Sequence, residues 1–412
     1  MKSSNRLIIT LFCVISLFSS ILFFAIHNKW IELNRAGDAK NLHSFKKINH
    51  SETNKQKIDL YYWHNQQVKH EFAECLHNSK NQKDQIALCE QTINKWLQLL
   101  DEEDITRVRS TLQACSILPG NQELVLSFNR SFLPKEWSTY DKLMLVESLF
   151  KTLKAACPSF NFIRFMVQHE ILQDDHLDFS RSWPITSFIK KNSDSKLNTQ
   201  YVHSSCFLFN KQRPIIILDP AGDAQHIGRV LGDTFERAQA LHYAEIVKKE
   251  LEVMLPNAHI VLTRVPGQIK DPLQSATLAN TLEANLYISL NFYQSKEKQE
   301  LPLYIFYALY DPVEEQAQLN PNKMKNVPYN YAYRANHVKL SKAFAERLYQ
   351  MLSESSHAVP FLIQQPIGLP FKPLITVSQS ACACEIALGS PEQCRTLAKH
   401  FAYALKEILI KD

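Results

Sequence analysis

No stretch of the chain is a dense run of lysine and arginine interleaved with aromatics, and the formal net charge of the 412 residues is only +5. A nucleic-acid-binding surface needs such a basic footprint, so nucleic acid is not an expected partner. No two of the 9 cysteines stand at C-x-x-C spacing, which argues against a thiolate metal site. Cys382 and Cys384 alternate along one expected strand and so share a face, where they read as small buried hydrophobes. No small-x-small motif directly follows Phe24, which weighs against a cleavable secretory signal peptide. Cys13 has no lipoprotein cleavage context.

What is present is the composition of an ordinary folded protein. With 45% hydrophobic residues, a chain of this length can bury sizeable cores and should hold about two domains. Leu7 to Ile26 is an unbroken run of apolar and small residues, preceded by Lys2 and Arg6. Its length suits a bilayer-spanning helix, and the basic flank keeps the N-terminus inside. Residues 1–30 are therefore expected to be a single-pass anchor in the cytoplasmic membrane, with the bulk of the chain outside. A cleavable signal peptide is the competing reading. Residues 31–56 are polar, rich in Asn, Lys and Ser, and read as a linker. Eight cysteines lie outside the anchor, and in an oxidising compartment they could pair. Cys75 with Cys89, and Cys115 with Cys157, are candidates, although connectivity cannot be read from spacing.

Residues 57–183 form the first expected domain. Ile58 to Trp63 reads as a strand, Leu88 to Leu100 as a helix, Glu123 to Phe128 as a strand, Asp141 to Ala155 as an amphipathic helix and Asn161 to Gln168 as a strand. The segments Leu60-Tyr61-Tyr62, Leu99-Leu100, Leu126-Ser127-Phe128, Ser148-Leu149-Phe150-Lys151-Thr152-Leu153 and Asp175-His176-Leu177-Asp178 resemble the domain of the spore-germination protein GerM and its relatives. That resemblance implies a small α/β binding module. Residues 184–212 read as a second linker.

Residues 213–412 open with Ile215 to Leu218, an apolar run that stops at Asp219-Pro220. A helix over Thr234 to Met254 follows, then a strand over His259 to Thr263, a short helix over Leu278 to Ala284 and a strand over Leu286 to Leu290. Such alternation implies a parallel sheet with helices on its faces, and ligands in such sheets bind beyond the carboxyl ends of the strands. Further strands are expected at Leu303 to Leu309, Leu374 to Val377 and Ala381 to Leu388. Helices are expected at Lys339 to Met351 and Glu392 to Lys411, with a long loop over Asp311 to Asn336. The fold class is α/β: an N-terminal transmembrane helix, a small α/β domain, then a larger α/β domain with a mostly parallel twisted sheet flanked by helices.

Asp219-Pro220, Glu236, Val261-Leu262-Thr263-Arg264, Ala279-Asn280, Ser289 and the run Cys384-Glu385 with Ser390-Pro391-Glu392 resemble the zinc-dependent N-acetylmuramoyl-L-alanine amidases, which cut peptide stems from peptidoglycan. The resemblance implies a catalytic role for Glu385 and a metal-ligand role for Glu236. Gly222 stands where the family has its first zinc-binding histidine, or the loop is shortened and has no equivalent, and Asn291 stands where the family has the second. Asp219, Gly222, His226 and Asn291 are the expected lining of the cleft. Hydrolytic zinc needs three protein ligands and an open position for water, and an amide oxygen such as that of Asn291 is a poor substitute for imidazole.

No cofactor is therefore expected, and the chain reads as a non-catalytic envelope protein that binds peptidoglycan or a wall-remodelling protein partner. The alternative is a working amidase in which the metal site is rewired and zinc is retained. For His226 the plain reading is an exposed loop side chain. For Glu236 it is an acid at a helix start, and for Glu385 a strand-end carboxylate paired with Arg264 or a lysine.

Overall fold

The computed structural model describes residues 54–77, 82–118, 122–157, 159–186, 213–271, 273–295, 301–309, 331–354 and 361–411. The anchor expected over Leu7 to Ile26, residues 31–53 and 187–212 of the expected linkers, and residues 311–330 lie outside the described residues, whereas residues 54–56, expected to be linker, open the first strand. Among the described residues no helix is long and apolar enough to cross a membrane. Residues 54–412 belong to one compact unit.

The chain enters through a hairpin, β1 (Asn54–His64) and β2 (Gln67–His77), then α1 (Gln82–Glu102), β3 (Leu112–Leu118), β4 (Glu123–Phe128), α2 (Thr139–Ala156), β5 (Phe162–Val167), β6 (Glu170–Ile171) and β7 (Trp183–Pro184). β3 to β6 lie in one sheet in sequence order, β7 adds to β5, and the β4–β5 pair is parallel. β5 coincides with the strand expected over Asn161 to Gln168, and the two-residue segments β6 and β7, like β2 and β3, add to the expected order. β2 escaped notice because its apolar residues, Val68, Phe72 and Leu76, face outward. The core of this half gathers Trp96, Phe128, Phe132, Phe150, Phe165 and Trp183, all essentially inaccessible. Leu143, Val146, Phe150 and Leu153 of α2 are among its contributors, as the helical spacing of those residues requires.

The second half runs β8 (Ile215–Pro220), β9 (Val230–Leu231), β10 (Thr234–Phe235), α3 (Glu236–Met254), β11 (His259–Leu262), α4 (Gln274–Thr281), β12 (Leu286–Tyr293), β13 (Leu301–Ala308), α5 (Tyr331–Glu354), β14 (Phe361–Ile363), β15 (Ile367–Leu369), β16 (Ser380–Ala387) and α6 (Pro391–Lys411). Its sheet has the order β11-β8-β12-β16-β13-β14, with β15 also on β13. Every pairing is parallel except that of β13 with β16. The sheet is therefore mixed, with the parallel part expected from the β-α-β alternation. β12 and β16 are buried along their whole length, as strands covered on both faces must be. On one face Tyr243 of α3 meets Phe292 of β12 and Phe401 of α6, with ring centroids 5.4 and 6.3 Å apart.

Leu374 to Val377 is not a strand. Lys372–Leu374 is a single 3-10 turn with Pro373 in its first positions. Proline fixes φ near a helical value and has no N–H to give a ladder, so the buried Leu374 and Val377 anchor a turn instead.

The opposite face of the sheet carries Asp219, Asn291, Glu385 and Tyr304, as the registers Ser289↔Asp219, Asn291↔Glu385 and Tyr304↔Glu385 require. Here the first half meets the second. Tyr140 of α2 stacks on Tyr304 with centroids 4.7 Å apart. Leu177 forms a β-bridge with Phe371, and Asp178 N–H donates to Pro370 O at 2.9 Å.

Candidate functional site

Glu385 lies in the middle of β16 and is completely buried. Its carboxylate receives the Thr139 main-chain N–H at 2.9 and 2.8 Å on its two oxygens and the Thr139 hydroxyl at 2.7 Å. Thr139 is the first residue of α2, after the N-cap Ser138. A helix N-terminus presents unpaired N–H groups and the positive end of the helix dipole, so Glu385 sits as the anion at the start of a helix from the other half of the chain.

Glu236 is the first residue of α3 and is 1% exposed. Its Oε2 accepts the Arg229 main-chain N–H at 3.0 Å, and its Oε1 accepts the Phe292 N–H at 3.0 Å. It is an acid at a helix start, as its plain reading held, but one sealed from solvent.

Arg229 joins the two carboxylates. Its Nη2 donates to Glu385 Oε1 at 2.6 Å and its Nη1 to Glu236 Oε1 at 3.3 Å. Nη1 also donates to Phe292 O at 3.0 Å, and Nη2 lies 3.3 Å from both Thr139 Oγ1 and His176 Nδ1. With an arginine N–H directed at Nδ1, the His176 proton belongs on Nε2, which stands 3.5 Å from Glu236 Oε1. Gly228 makes this packing possible. At φ +70° a Cβ there would meet Glu236 Oε2 at 2.7 Å, so only glycine lets the loop lie on that carboxylate.

The electrostatics follow from the geometry. Burial pushes the Glu236 carboxyl up, but the charge of Arg229 and the contact with His176 outweigh it and hold the group at about 2. Burial works against the charge on Arg229, yet Glu385 and Glu236 outweigh it and raise the guanidinium above its ordinary value. Both partners of this buried pair are therefore held in their charged forms.

The other expected residues fall elsewhere or have other partners. Asp219 is buried and saturated: it accepts from Lys270 Nζ at 2.7 Å, Ser275 Oγ at 2.9 Å, and the hydroxyls of Thr263 and Tyr287 at 2.5 Å each. Burial raises its carboxyl, and Lys270 with the Thr263 and Tyr287 hydroxyls brings it below the usual range. It ties together the ends of β8, β11, α4 and β12 rather than lining an opening. Asn291 is 1% exposed, and its Nδ2 donates to Ser289 Oγ at 3.1 Å. The His226 side chain is 69% exposed and sits on Asp223, 3.1 Å from its carboxylate oxygens. Gly222 has φ +71°, and a Cβ there would meet His226 O at 2.7 Å and Arg237 Cβ at 2.8 Å.

Of the four residues expected to line a cleft, Asp219 and Asn291 are enclosed, while His226 faces solvent. The pairing of Glu385 with Arg264 or a lysine is corrected. Arg264 donates instead to the main-chain oxygens of Pro220, Ala221 and Arg237. Sequence reasoning missed Arg229 and Thr139. Neither lies in a motif, and Thr139 is 246 positions from its partner Glu385. His176 lay in a segment noticed only for its likeness to a binding module.

These residues do not fit a hydrolytic zinc ion. The carboxylates of Glu236 and Glu385 are already bridged by a buried monocation. Asn291 turns its amide N–H toward Ser289, and the backbone at Gly222 has no room for an imidazole-bearing residue. Among the described residues no group of three or more His, Cys, Asp and Glu could hold a metal.

No family model matches the chain, and no curated protein matches it. Solved structures similar to it include N-acetylmuramoyl-L-alanine amidases. The catalytic domain of CwlV from Bacillus (Paenibacillus) polymyxa var. colistinus is 17% identical, over 47% of this chain and 97% of that one, with a TM-score of 0.36. Ami1 from Mycobacterium smegmatis is 12% identical over 48% and 98%, with a TM-score of 0.35. The CwlD amidase from Clostridioides difficile, solved in complex with the GerS lipoprotein, is 16% identical over 48% and 100%, with a TM-score of 0.31.

Proposed function

We propose that this chain is a cell-envelope protein with a degenerate amidase-like half, which binds peptidoglycan or a wall-remodelling protein and does not hydrolyse it. One observation carries the reading: the Arg229 guanidinium lies between Glu236 and Glu385, within 3.3 Å of an oxygen of each. Water activation by a metal requires an ion with an open coordination position. Amide hydrolysis by Glu385 as a general base requires that carboxylate to reach a water and a substrate. Glu385 instead spends its oxygens on Thr139 and Arg229 and has no exposed surface. In this proposal the old catalytic positions have become a joint between the two halves. Residues 1–30 anchor the protein in the cytoplasmic membrane, and the rest faces the wall. The 57–183 segment serves as a binding module.

The test is paired. Zinc content is measured on the purified full-length chain, and stem-peptide release is measured on purified sacculi with added zinc. The expected result is substoichiometric zinc and no release. Stoichiometric zinc together with release that disappears in Glu385→Gln would overturn the proposal in favour of a working amidase with a rewired metal site.

A further inference from the structure

The hairpin of β1 and β2 turns on Asn65 and Gln66, whose φ angles are +50° and +58°, the signature of a two-residue type I′ loop. The residues flanking such a loop, His64 and Gln67, exchange both main-chain hydrogen bonds, and every second pair beyond them does the same. In the observed register, odd-numbered residues of β2 therefore direct their N–H and C=O groups at β1. Even-numbered residues, Val68, His70, Phe72, Glu74 and Leu76, direct theirs outward. The matching outer edge of β1 is occupied at Tyr61. Its N–H donates to Thr152 Oγ1 at 2.7 Å, and its carbonyl accepts Trp96 Nε1 at 2.8 Å. On β2 the Leu76 N–H is taken by Gln91 Oε1 at 3.0 Å. The outward main-chain groups of His70, Phe72 and Glu74 have no partner among the described residues.

The side chains on this edge are exposed too. Val68 is 43%, Phe72 57% and Leu76 53% accessible. An edge strand with free main-chain groups and an apolar face is a template for another strand. Read antiparallel to itself about Phe72, the row is self-complementary: Phe72 faces Phe72, His70 faces Glu74, and Val68 faces Leu76. Other registers lose this match. A shift by one residue sets the outward row against the opposite face. A shift by two in either direction sets Glu74 against an apolar residue, Val68 or Phe72, and larger shifts centre the pair on His70 or Glu74, opposing like groups. Nearby, Lys57 Nζ lies over the Phe72 ring at 3.6 Å, and Lys55 bridges to Glu74 at 3.0 Å. That ion pair is solvent-exposed, so it holds Glu74 only weakly.

We infer that β2 pairs with β2 of a second copy of this chain, about a two-fold axis at Phe72. The product is a four-stranded antiparallel sheet that crosses the dimer. Phe72 exchanges both main-chain bonds with its counterpart, and His70 exchanges both with Glu74 on either side. The contact is isologous, so it closes at two copies and does not propagate. Polar pairs set directly opposite each other across such a ladder stabilise it and like charges there destabilise it, and the His70–Glu74 pair occurs twice across the axis.

The experiment uses the full 412-residue chain in detergent, followed by sedimentation over concentrations around ~10 μM, since an interface of this modest size belongs in the weaker range. The wild type should dimerise. Glu74→Lys sets a lysine against His70, and His70→Glu sets two glutamates opposite each other. Each should weaken dimerisation by roughly tenfold, because Glu74→Lys removes both favourable pairs and His70→Glu makes both repulsive. The double variant H70E/E74K sets opposite charges against each other in this register alone and should recover the dimer. Hydrogen exchange gives a second reading on the unmodified chain: amides of His70, Phe72 and Glu74 should gain protection as concentration rises. A monomeric wild type, a dimer indifferent to both single variants, a double variant that fails to recover, or edge amides without concentration-dependent protection would each overturn the inference.

Discussion

Replacing Arg229 by methionine should cost about 3–5 kcal/mol, the penalty of removing one partner from a buried ion pair. The structure shows where that penalty arises. Arg229 is 3% exposed, and its loss leaves Glu236 and Glu385 in the same enclosed space without a cation. Each keeps some support: Glu385 keeps the Thr139 N–H and hydroxyl, and Glu236 keeps two main-chain N–H groups. Phe292 O and His176 Nδ1 also lose their donor. The assay is urea unfolding of the full-length chain at neutral pH by two probes. All five tryptophans (30, 63, 96, 137 and 183) precede residue 187, so fluorescence reports on the first half while far-UV circular dichroism reports on both. In the wild type the two transitions should coincide, because the knot of Arg229, Glu236, Glu385 and Thr139 ties the halves together. In Arg229→Met they should separate, with the midpoint lowered. The triple variant R229M/E236Q/E385Q removes the stranded charges and should recover part of the loss. An Arg229→Met midpoint within about 1 kcal/mol of the wild type, or a triple variant no better than the single one, would refute the argument that stranded charge is the cause.

Acid should loosen the same knot. The folded-state value of Glu236, about 2, is below its ordinary value, so its contribution of about 3 kcal/mol is fully present above ~4.5 and is lost as pH falls from there toward 2; denaturation midpoints taken across that window should fall, and less steeply in Glu236→Gln. Restoring histidine at both Gly222 and Asn291 should not bring zinc binding, measured by metal content after dialysis, because the Gly222 backbone has φ +71° and a Cβ there meets His226 O at 2.7 Å; stoichiometric zinc in that double variant would show that the loop can readopt a metal-binding path. Thr139→Val should lower stability by about 1–2 kcal/mol through the lost hydroxyl donor to a buried carboxylate, and an unchanged unfolding midpoint would show that the main-chain N–H suffices. In material secreted into an oxidising compartment, non-reducing peptide mapping should find Cys89 joined to Cys157, whose sulfurs lie 2.8 Å apart, in place of the Cys75–Cys89 and Cys115–Cys157 pairs suggested by sequence; closing that loop would add about 4 kcal/mol.

The sheet of the second half was legible because its strands are short apolar runs separated by helices with clear 3.6-residue spacing. Ile215 to Leu218, Leu286 to Leu290 and Ala381 to Leu388 all fall on observed strands. β2 was not legible because periodicity reports burial, and this strand exposes its large apolar residues, Val68, Phe72 and Leu76, while burying only the small Cys75. The site was legible by position and not by partner. Glu236 and Glu385 do come together, but what joins them is an arginine in a loop and a threonine from another part of the chain. A side chain that bonds across 156 or 246 positions leaves no local pattern, and its role emerges only when both carboxylates are found without solvent.

Charge accounting explains how an arginine can hold this place. Two buried carboxylates carry two negative charges, and a guanidinium returns only one positive charge. The remainder is met by oriented dipoles. Glu385 takes the first N–H of α2, where the helix dipole is positive. Glu236 takes the N–H groups of Arg229 and Phe292. The first of these sources belongs to the half of the chain before residue 187, so the charge balance of the second half is completed only when the first half is docked. Separating them would leave Glu385 with Arg229 as its remaining donor among the described residues. The joint is therefore electrostatic as well as apolar, and it explains why the stacking of Tyr140 on Tyr304 and the enclosure of Glu385 occur at the same end of α2. A site organised this way gains from closure what a hydrolase would lose by it: each water admitted to reach Glu385 would have to displace one of the donors that keeps the two halves together.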